Sequence, residues 1–297
     1  MPRILITGAN GQVGHELKRT LAPLGTLLCC DRAQLDLRYT ENLATQLQNL
    51  QPDIIVNAAA YTAVDKAEGD VDTAYKVNAE APAALATWAL KRDALLIHYS
   101  TDYVFDGEKN GPYVETDPVN PQSVYGTSKL AGEQAITISG VSHAILRTSW
   151  VFGVHGSNFL KTILRLGHEK ESLNVVADQI GAPTPAALLA GVTAKVVQQY
   201  RQSPRMFPSG LYHTTSAGKT SWYEYARLVI RLAEEQGLPL KLTHADIHPI
   251  SSDAYPARAK RPLNSRLDCS KLRSTFDIHL RDWQDGVHQV FAQLCQY

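Results

Sequence analysis

The chain has 297 residues, 44 % of them hydrophobic and 20 % charged, proportions of a soluble globular protein rather than a disordered or membrane-embedded one. Lysine plus arginine equals aspartate plus glutamate, 29 each, with no basic run fit to track a phosphate backbone, so no nucleic acid partner is expected. No apolar run reaches membrane-spanning length and the first strand starts at residue 3, leaving no room for a secretory leader; a cytoplasmic location without membrane attachment is expected.

The run Ile4–Ile6 predicts a first strand, and Gly8-Ala-Asn-Gly11-Gln-Val-Gly14 follows it into a helix over 11–22. Strand, glycine turn and helix in that order are the context of a dinucleotide-binding fingerprint. Gly8 permits the tight turn, Gly11 lets the backbone approach a pyrophosphate, and Gly14 lets the helix pack on its strand; Gln12 and Val13 lie in the same turn. The helix amides then face the anion.

A second strand, Leu27–Cys30, delivers Asp31 and Arg32. Asp31 is placed to bind the adenosine ribose 2'-hydroxyl, which favours NADH, whereas Arg32 can pair with a 2'-phosphate, which favours NADPH; both stay open. Asp36 and Leu37 in the next loop join the candidate cofactor contacts, and a helix is predicted over 40–49. The third strand, Ile54–Ala58, ends in Asn57-Ala58-Ala59-Ala60, small residues across which a cofactor can lie, with Tyr61 and Thr62 as polar contacts.

An alanine-rich helix over 73–91 leads to a fourth strand, Leu95–Tyr99, which runs into Ser100-Thr101-Asp102. Tyr99 is a further cofactor candidate, and His98 reads as a satisfied core histidine. The helix over 123–138 carries Tyr125-Gly-Thr-Ser-Lys129. Residues four apart share one helix face, so the Lys129 ammonium is expected beside the Tyr125 phenol, favouring its ionised form. Tyr125 then serves as proton donor while hydride reaches a carbonyl carbon, and Thr101 hydrogen-bonds the same oxygen. A fifth strand spans Ala144–Thr148.

Beyond Trp150 the alternation breaks. Helices are predicted over Phe159–Leu166, Ala186–Tyr200 and Trp222–Gln236, the last capped by Ser221, with extended chain over Leu173–Ala182 and Leu211–Thr215. The expected fold is α/β, a doubly wound parallel sheet over residues 1–150 with a smaller C-terminal substrate-binding lobe over 151–297, segments near 173–200 and 211–215 returning to the sheet. Cys29, Cys30, Cys269 and Cys295 lack zinc-site spacing, and no catalytic metal is expected.

The glycine turn, Val56-Asn-Ala-Ala-Ala60, Tyr99-Ser-Thr-Asp-Tyr-Val-Phe105, Tyr125-Gly-Thr-Ser-Lys-Leu-Ala-Gly-Glu133, Arg147-Thr-Ser-Trp-Val151 and Arg261-Pro-Leu-Asn-Ser265 resemble the extended short-chain dehydrogenase/reductase family. The resemblance spans nearly the whole chain. It implies NADPH- or NADH-dependent reduction of a dTDP-linked 4-keto-6-deoxy sugar, with Tyr125 as proton donor, Lys129 as its partner, and Thr101, Asp102 and Trp150 lining the sugar nucleotide. Arg261, whose planar guanidinium suits phosphate, is a candidate diphosphate ligand. Some relatives hold a magnesium ion at a dimer interface through glutamates; here Glu16 remains, but Ala187 and Gln293 stand for the others, so monomer and homodimer both stay open. A nucleotide-sugar epimerase of the same fold and a non-catalytic NADP-binding regulatory subunit are the alternatives. A 4,6-dehydratase is disfavoured because Tyr103 stands where that chemistry commonly uses a glutamate.

Overall fold

A computed structural model describes residues 1–296. Its strands are β1 (Arg3–Thr7), β2 (Thr26–Cys30), β3 (Ile54–Asn57), β4 (Leu95–Thr101), β5 (His143–Thr148), β6 (Val151–Phe152), β7 (Leu173–Val176), β8 (Ile180–Gly181), β9 (Thr184–Pro185), β10 (Gly210–His213), β11 (Thr220–Ser221) and β12 (Ile247–Ile250). The α-helices are α1 (Gln12–Leu21), α2 (Thr40–Leu50), α3 (Val64–Ala67), α4 (Val71–Tyr75), α5 (Ala81–Leu90), α6 (Val124–Ser139), α7 (Phe159–Glu169), α8 (Ala186–Gln202), α9 (Trp222–Glu235), α10 (Ser270–Phe276) and α11 (Trp283–Leu294).

Six strands form one parallel sheet in the order β10-β5-β4-β3-β1-β2. The apolar runs of β1, β3, β4 and β5 are buried on both faces, as a parallel sheet covered by crossover helices requires. Alternate side chains divide between two cores: Ile4, Ile6 and Val56 meet Leu17 of α1 and Leu189 and Val196 of α8, while Leu5, Ile55 and Leu96 meet Leu43, Leu85 and Ile136 from α2, α5 and α6. Each such side chain, fully buried, contributes about 1.5–3 kcal/mol. The strand order reverses between β1 and β3, and ligands bind doubly wound sheets in the crevice outside the carboxyl ends at that point.

The second half returns to the sheet twice. β10 adds to β5 in parallel, with Leu211 opposite Ile145, and α8 packs along α1. The segment expected to be extended over Leu173–Ala182 divides instead: β7 pairs with β12, and β8 pairs antiparallel with β11. A separate core of Phe152, Leu160, Tyr225, Val229, Trp283 and Phe291 holds this lobe together. Ser221 caps α9 by accepting from Glu224 N at 3.1 Å.

The run predicted as one helix over 73–91 is α4, a π-helical turn at Lys76–Glu80, and α5. The extra residue turns the buried Asn78 toward the carboxyl ends of the strands, where it finds three polar partners described below. Among the described residues no helix is long and apolar enough to cross a membrane.

Candidate active site

β1 ends on Gly8, which turns the chain with a left-handed φ of +62°. A Cβ there would stand 2.8 Å from Ala59 Cα, and one at Gly14 would stand 2.2 Å from Gly8 O, so neither position admits a side chain. Gly11 N donates to Gly8 O at 2.9 Å, and Gly11 precedes α1 without a side-chain cap, leaving helix amides to serve an anion. This cradle, at the point where the strand order reverses, fits a dinucleotide pyrophosphate. Gln12 reaches across to the second half of the chain, donating to Val151 O at 3.4 Å and accepting from Asn158 Nδ2 at 3.0 Å, while Val13 packs against the sheet core.

At the end of β2 the Asp31 carboxylate accepts from Asn10 Nδ2 at 2.8 Å and from Ala33 N at 2.9 Å. Arg32 is largely solvent-exposed and lies 3.6 Å from Asp36, which is held more closely by Arg38 at 2.5 Å. The Arg38 hydrogen bond is the main reason that the Asp36 carboxyl lies below its usual range. Leu37 points into the core. Arg32, Gln34, Asp36, Arg38 and Tyr39 line an open groove of about 630 Å³ beside this turn.

Beyond β3, Tyr61 N donates to Asn78 Oδ1 at 2.9 Å, and Asn78 Nδ2 donates to Tyr61 O and Ser128 Oγ, each at 3.1 Å. Asn78 therefore ties the Ala60–Thr62 segment to α6. Sequence reading passed over it, and only an asparagine within an alanine-rich run could have drawn notice. The Tyr61 hydroxyl donates to Asp70 at 3.1 Å, and Thr62 is exposed.

α6 begins at Ser123, whose hydroxyl accepts from Gly126 N at 3.2 Å, so Tyr125 lies in the first turn and Lys129 one turn on. The helix is locked to β5 by a buried bidentate pair: Arg147 Nε and Nη2 donate to the two Glu133 oxygens at 2.8 and 2.6 Å. Lys129 is buried; its Nζ donates to Tyr99 O at 2.5 Å and meets His98 Nε2 at 3.1 Å. Burial pulls the Lys129 ammonium down to about 8, with Glu133 acting the other way. Tyr99 offers only this carbonyl, because its ring enters the core and its hydroxyl sits 2.5 Å from Thr193 Oγ1.

Burial pushes the Tyr125 phenol up to about 12, against a hydrogen bond with Thr101 that lowers it. The expected depression of the phenol is thus reversed, since desolvating a phenolate costs more than its hydrogen-bond partner returns. Thr101 Oγ1 accepts from Tyr103 N at 3.2 Å and donates to Asp102 Oδ1 at 3.1 Å. Asp102 is 3 % exposed, and burial raises its carboxyl to about 6 although Ser265 and Thr101 hydrogen-bond to it. Ser265 is a second residue that sequence reading did not single out.

Trp150 adopts φ +50°, a strained value for a bulky residue, and its indole stacks on that of Trp222 with centroids 3.7 Å apart. Arg261 Nη2 donates to Asp65 Oδ2 at 2.7 Å, while Asp65 Oδ1 accepts from Arg258 N and Ala259 N at 3.2 and 3.1 Å. The guanidinium is thus engaged with a carboxylate.

The RmlD substrate binding domain model matches residues 2–296. The chain belongs to that family. It is 46 % identical over 295 residues to the dTDP-4-dehydrorhamnose reductase of Escherichia coli K12, covering 98 % of this chain and 97 % of that one. The protein of the same name from Burkholderia thailandensis is 47 % identical over 289 residues, covering 96 % of each. A crystal structure of the Bacillus anthracis str. Ames dTDP-4-dehydrorhamnose reductase in complex with NADP superposes with a TM-score of 0.89 at 35 % identity, covering 98 % of this chain and 99 % of that one. In this RmlD-family chain Glu16 pairs with Arg19 at 3.1 Å, Ala187 lies in the first turn of α8, and Gln293 lies near the end of α11.

Proposed function

We propose that this chain reduces the 4-keto group of dTDP-4-dehydro-L-rhamnose to give dTDP-L-rhamnose, the last step of that sugar nucleotide's synthesis for surface polysaccharide. The observation that carries the reading is the meeting of Thr101 and Tyr125 at the carboxyl ends of the strands, beside the glycine turn that opens α1. NADPH or NADH, held at the glycine turn, would supply the hydride to the carbonyl carbon. Tyr125, fully protonated at neutral pH, gives its proton to the carbonyl oxygen, and Thr101, turning its one hydroxyl hydrogen from Asp102, donates to that oxygen as charge grows on it. Lys129, one turn along α6 with its ammonium on the Tyr99 carbonyl and His98, would favour ionisation of the phenol from that distance as the proton leaves.

Gly8, Gly11 and Gly14 would cradle the pyrophosphate, with Asp31 and Arg32 at the adenosine ribose. Asp102, Trp150 and Arg261 would face the sugar nucleotide, which the C-terminal lobe covers. This reading places the enzyme in the cytoplasm as monomer or homodimer, with no nucleic acid partner. Burial holds the Tyr103 phenol well above its ordinary value, which suits it poorly as the base of a dehydratase.

The test is direct. Purified protein, NADPH and dTDP-4-dehydro-L-rhamnose should consume one cofactor per sugar, followed as loss of reduced-cofactor absorbance. An epimerase that retains its cofactor would leave that absorbance unchanged, and so would a binding subunit; either result would sink the assignment.

A further inference from the structure

Trp150 lies two residues past the end of β5, whose last residue, Thr148, pairs with Thr101 of β4. Its φ of +50° is one that large side chains seldom adopt, so contacts outside the local chain must hold it there. Two contacts do so. The indole of Trp222 stacks on it at 3.7 Å with the rings 16° from parallel, and the backbone of Gly181 lies so close that a Cβ there would stand 2.7 Å from the Trp150 ring.

Trp222 is itself firmly held. It is the first residue of α9, and Phe159 packs against its other surroundings with ring centroids 4.6 Å apart. Its Nε1–H donates to Gln179 Oε1 at 3.1 Å, and Gln179 Nε2 donates to Ser252 Oγ at 3.0 Å. The lobe therefore anchors Trp222, and the strained residue at the end of the sheet leans on it.

The geometry points to Trp222 as a positioning residue: its indole fixes where that of Trp150 stands at the sugar side of the Thr101 and Tyr125 pair, and so sets the grip on the sugar nucleotide. The inference rests on the proposed function, in which Trp150 lines the sugar. Without the stack, Trp150 is free to relax to an ordinary φ, and the wall it forms shifts. A shifted wall weakens ground and transition states alike, so KM for the sugar nucleotide rises more than kcat falls. None of the Trp222 contacts named above reaches Gly8, Gly11 or Gly14, so cofactor affinity stays as it was.

The experiment compares W222L, W222F and W150L in the full chain, measuring KM and kcat for dTDP-4-dehydro-L-rhamnose, Kd for NADPH, and the near-ultraviolet circular dichroism of the stacked indoles. Leucine keeps an apolar side chain and helix propensity but is smaller and has no stacking face. W222L should raise the sugar KM roughly tenfold or more while NADPH Kd stays within about twofold, and W222F should recover most of the loss because an aromatic face remains. The stacked-indole signal should vanish in both W222L and W150L.

A W222L variant that has lost the signal but keeps the wild-type sugar KM overturns the inference, as does W222F behaving like W222L. W150L separates the two levels of the argument. Unchanged sugar KM in W150L removes Trp150 from the substrate and takes the inference with it, leaving the reductase assay to stand or fall alone. Should W222L fail to fold, W222M, which is apolar, longer and without a flat ring, carries the same comparison.

Discussion

Lys129 Nζ donates to the Tyr99 carbonyl oxygen at 2.5 Å, joining α6 to β4 beneath the Thr101 and Tyr125 pair. A carbonyl and the His98 imidazole are its neighbours, with Glu133 the carboxylate that favours its charge, and burial leaves the ammonium at about 8. Reduction should therefore slow as pH rises through about 8, far below the Tyr125 value of about 12. Stability moves oppositely. Between about 8 and the ordinary 10.5 the unfolded chain holds a proton that the folded one has lost, so the folded state gains as pH rises through that window, and the cost of the buried charge is full below it. A rate that stays flat up to the ordinary lysine value would show that the ammonium is not required.

Tyr125→Phe removes only the transferable proton. Turnover should fall by orders of magnitude, roughly 10²–10⁴-fold, while NADPH affinity changes little. Transient kinetics and a binding titration on the same preparation decide the matter, and a phenylalanine variant with wild-type turnover is incompatible with the mechanism.

Asp102 is costly to keep. Its carboxyl rises from 3.8 to about 6 through burial, so between those values the folded chain holds a proton the unfolded chain has released, and stability falls as pH rises across the window. About two units amount to roughly 3 kcal/mol at neutral pH. Asp102→Asn should raise Tm at neutral pH, with the gain disappearing below the ordinary carboxylate range, and should impair sugar reduction. Equal melting curves at both pH values would mean the carboxylate is not strained.

Asp65 clasps the segment at 258–261 through two backbone amides and the Arg261 guanidinium. In Asp65→Ala the exposed Arg258 and Lys260 should become faster trypsin sites, with the rest of the chain protected as before. The sugar KM should rise in this variant, because the segment that carries Arg261 is released, and in Arg261→Ala, because the proposed diphosphate ligand itself is lost. A cleavage rate at Arg258 that matches the wild type would show that the clasp does not order the loop.

The sheet was legible because parallel strands buried on both faces leave unmistakable apolar runs, and Leu211–Thr215 could be read as extended from the same signal. The segment over Leu173–Ala182 could not be divided into β7 and β8, because pairing partners at Thr220 and Ile247 lie far along the chain and leave no local trace. The residues with chemical roles in the reading, Thr101, Tyr125 and Lys129, stood out by type and spacing. Their supports did not. Asn78, Ser265 and Trp222 act through contacts made by distant segments, and Arg147 could not be matched to Glu133 without knowing that β5 lies under α6. His98, read as a satisfied core histidine, is buried and hydrogen-bonded, but one of its partners is Lys129.

The π-helical turn at Lys76–Glu80 amounts to one residue too many for a regular spiral. Each residue advances an α-helix by about 100°. Excising Lys76, Val77, Ala79 or Glu80 would remove that extra residue and roll α4 by that angle relative to α5, leaving Pro82, which has no N–H to offer a regular spiral, inside the joined helix. Asn78 would then swing away from Tyr61 and Ser128, and Asp70 would leave the Tyr61 hydroxyl. In a library of single-codon deletions, this stretch is where the loss of one helical residue should cost the enzyme its activity.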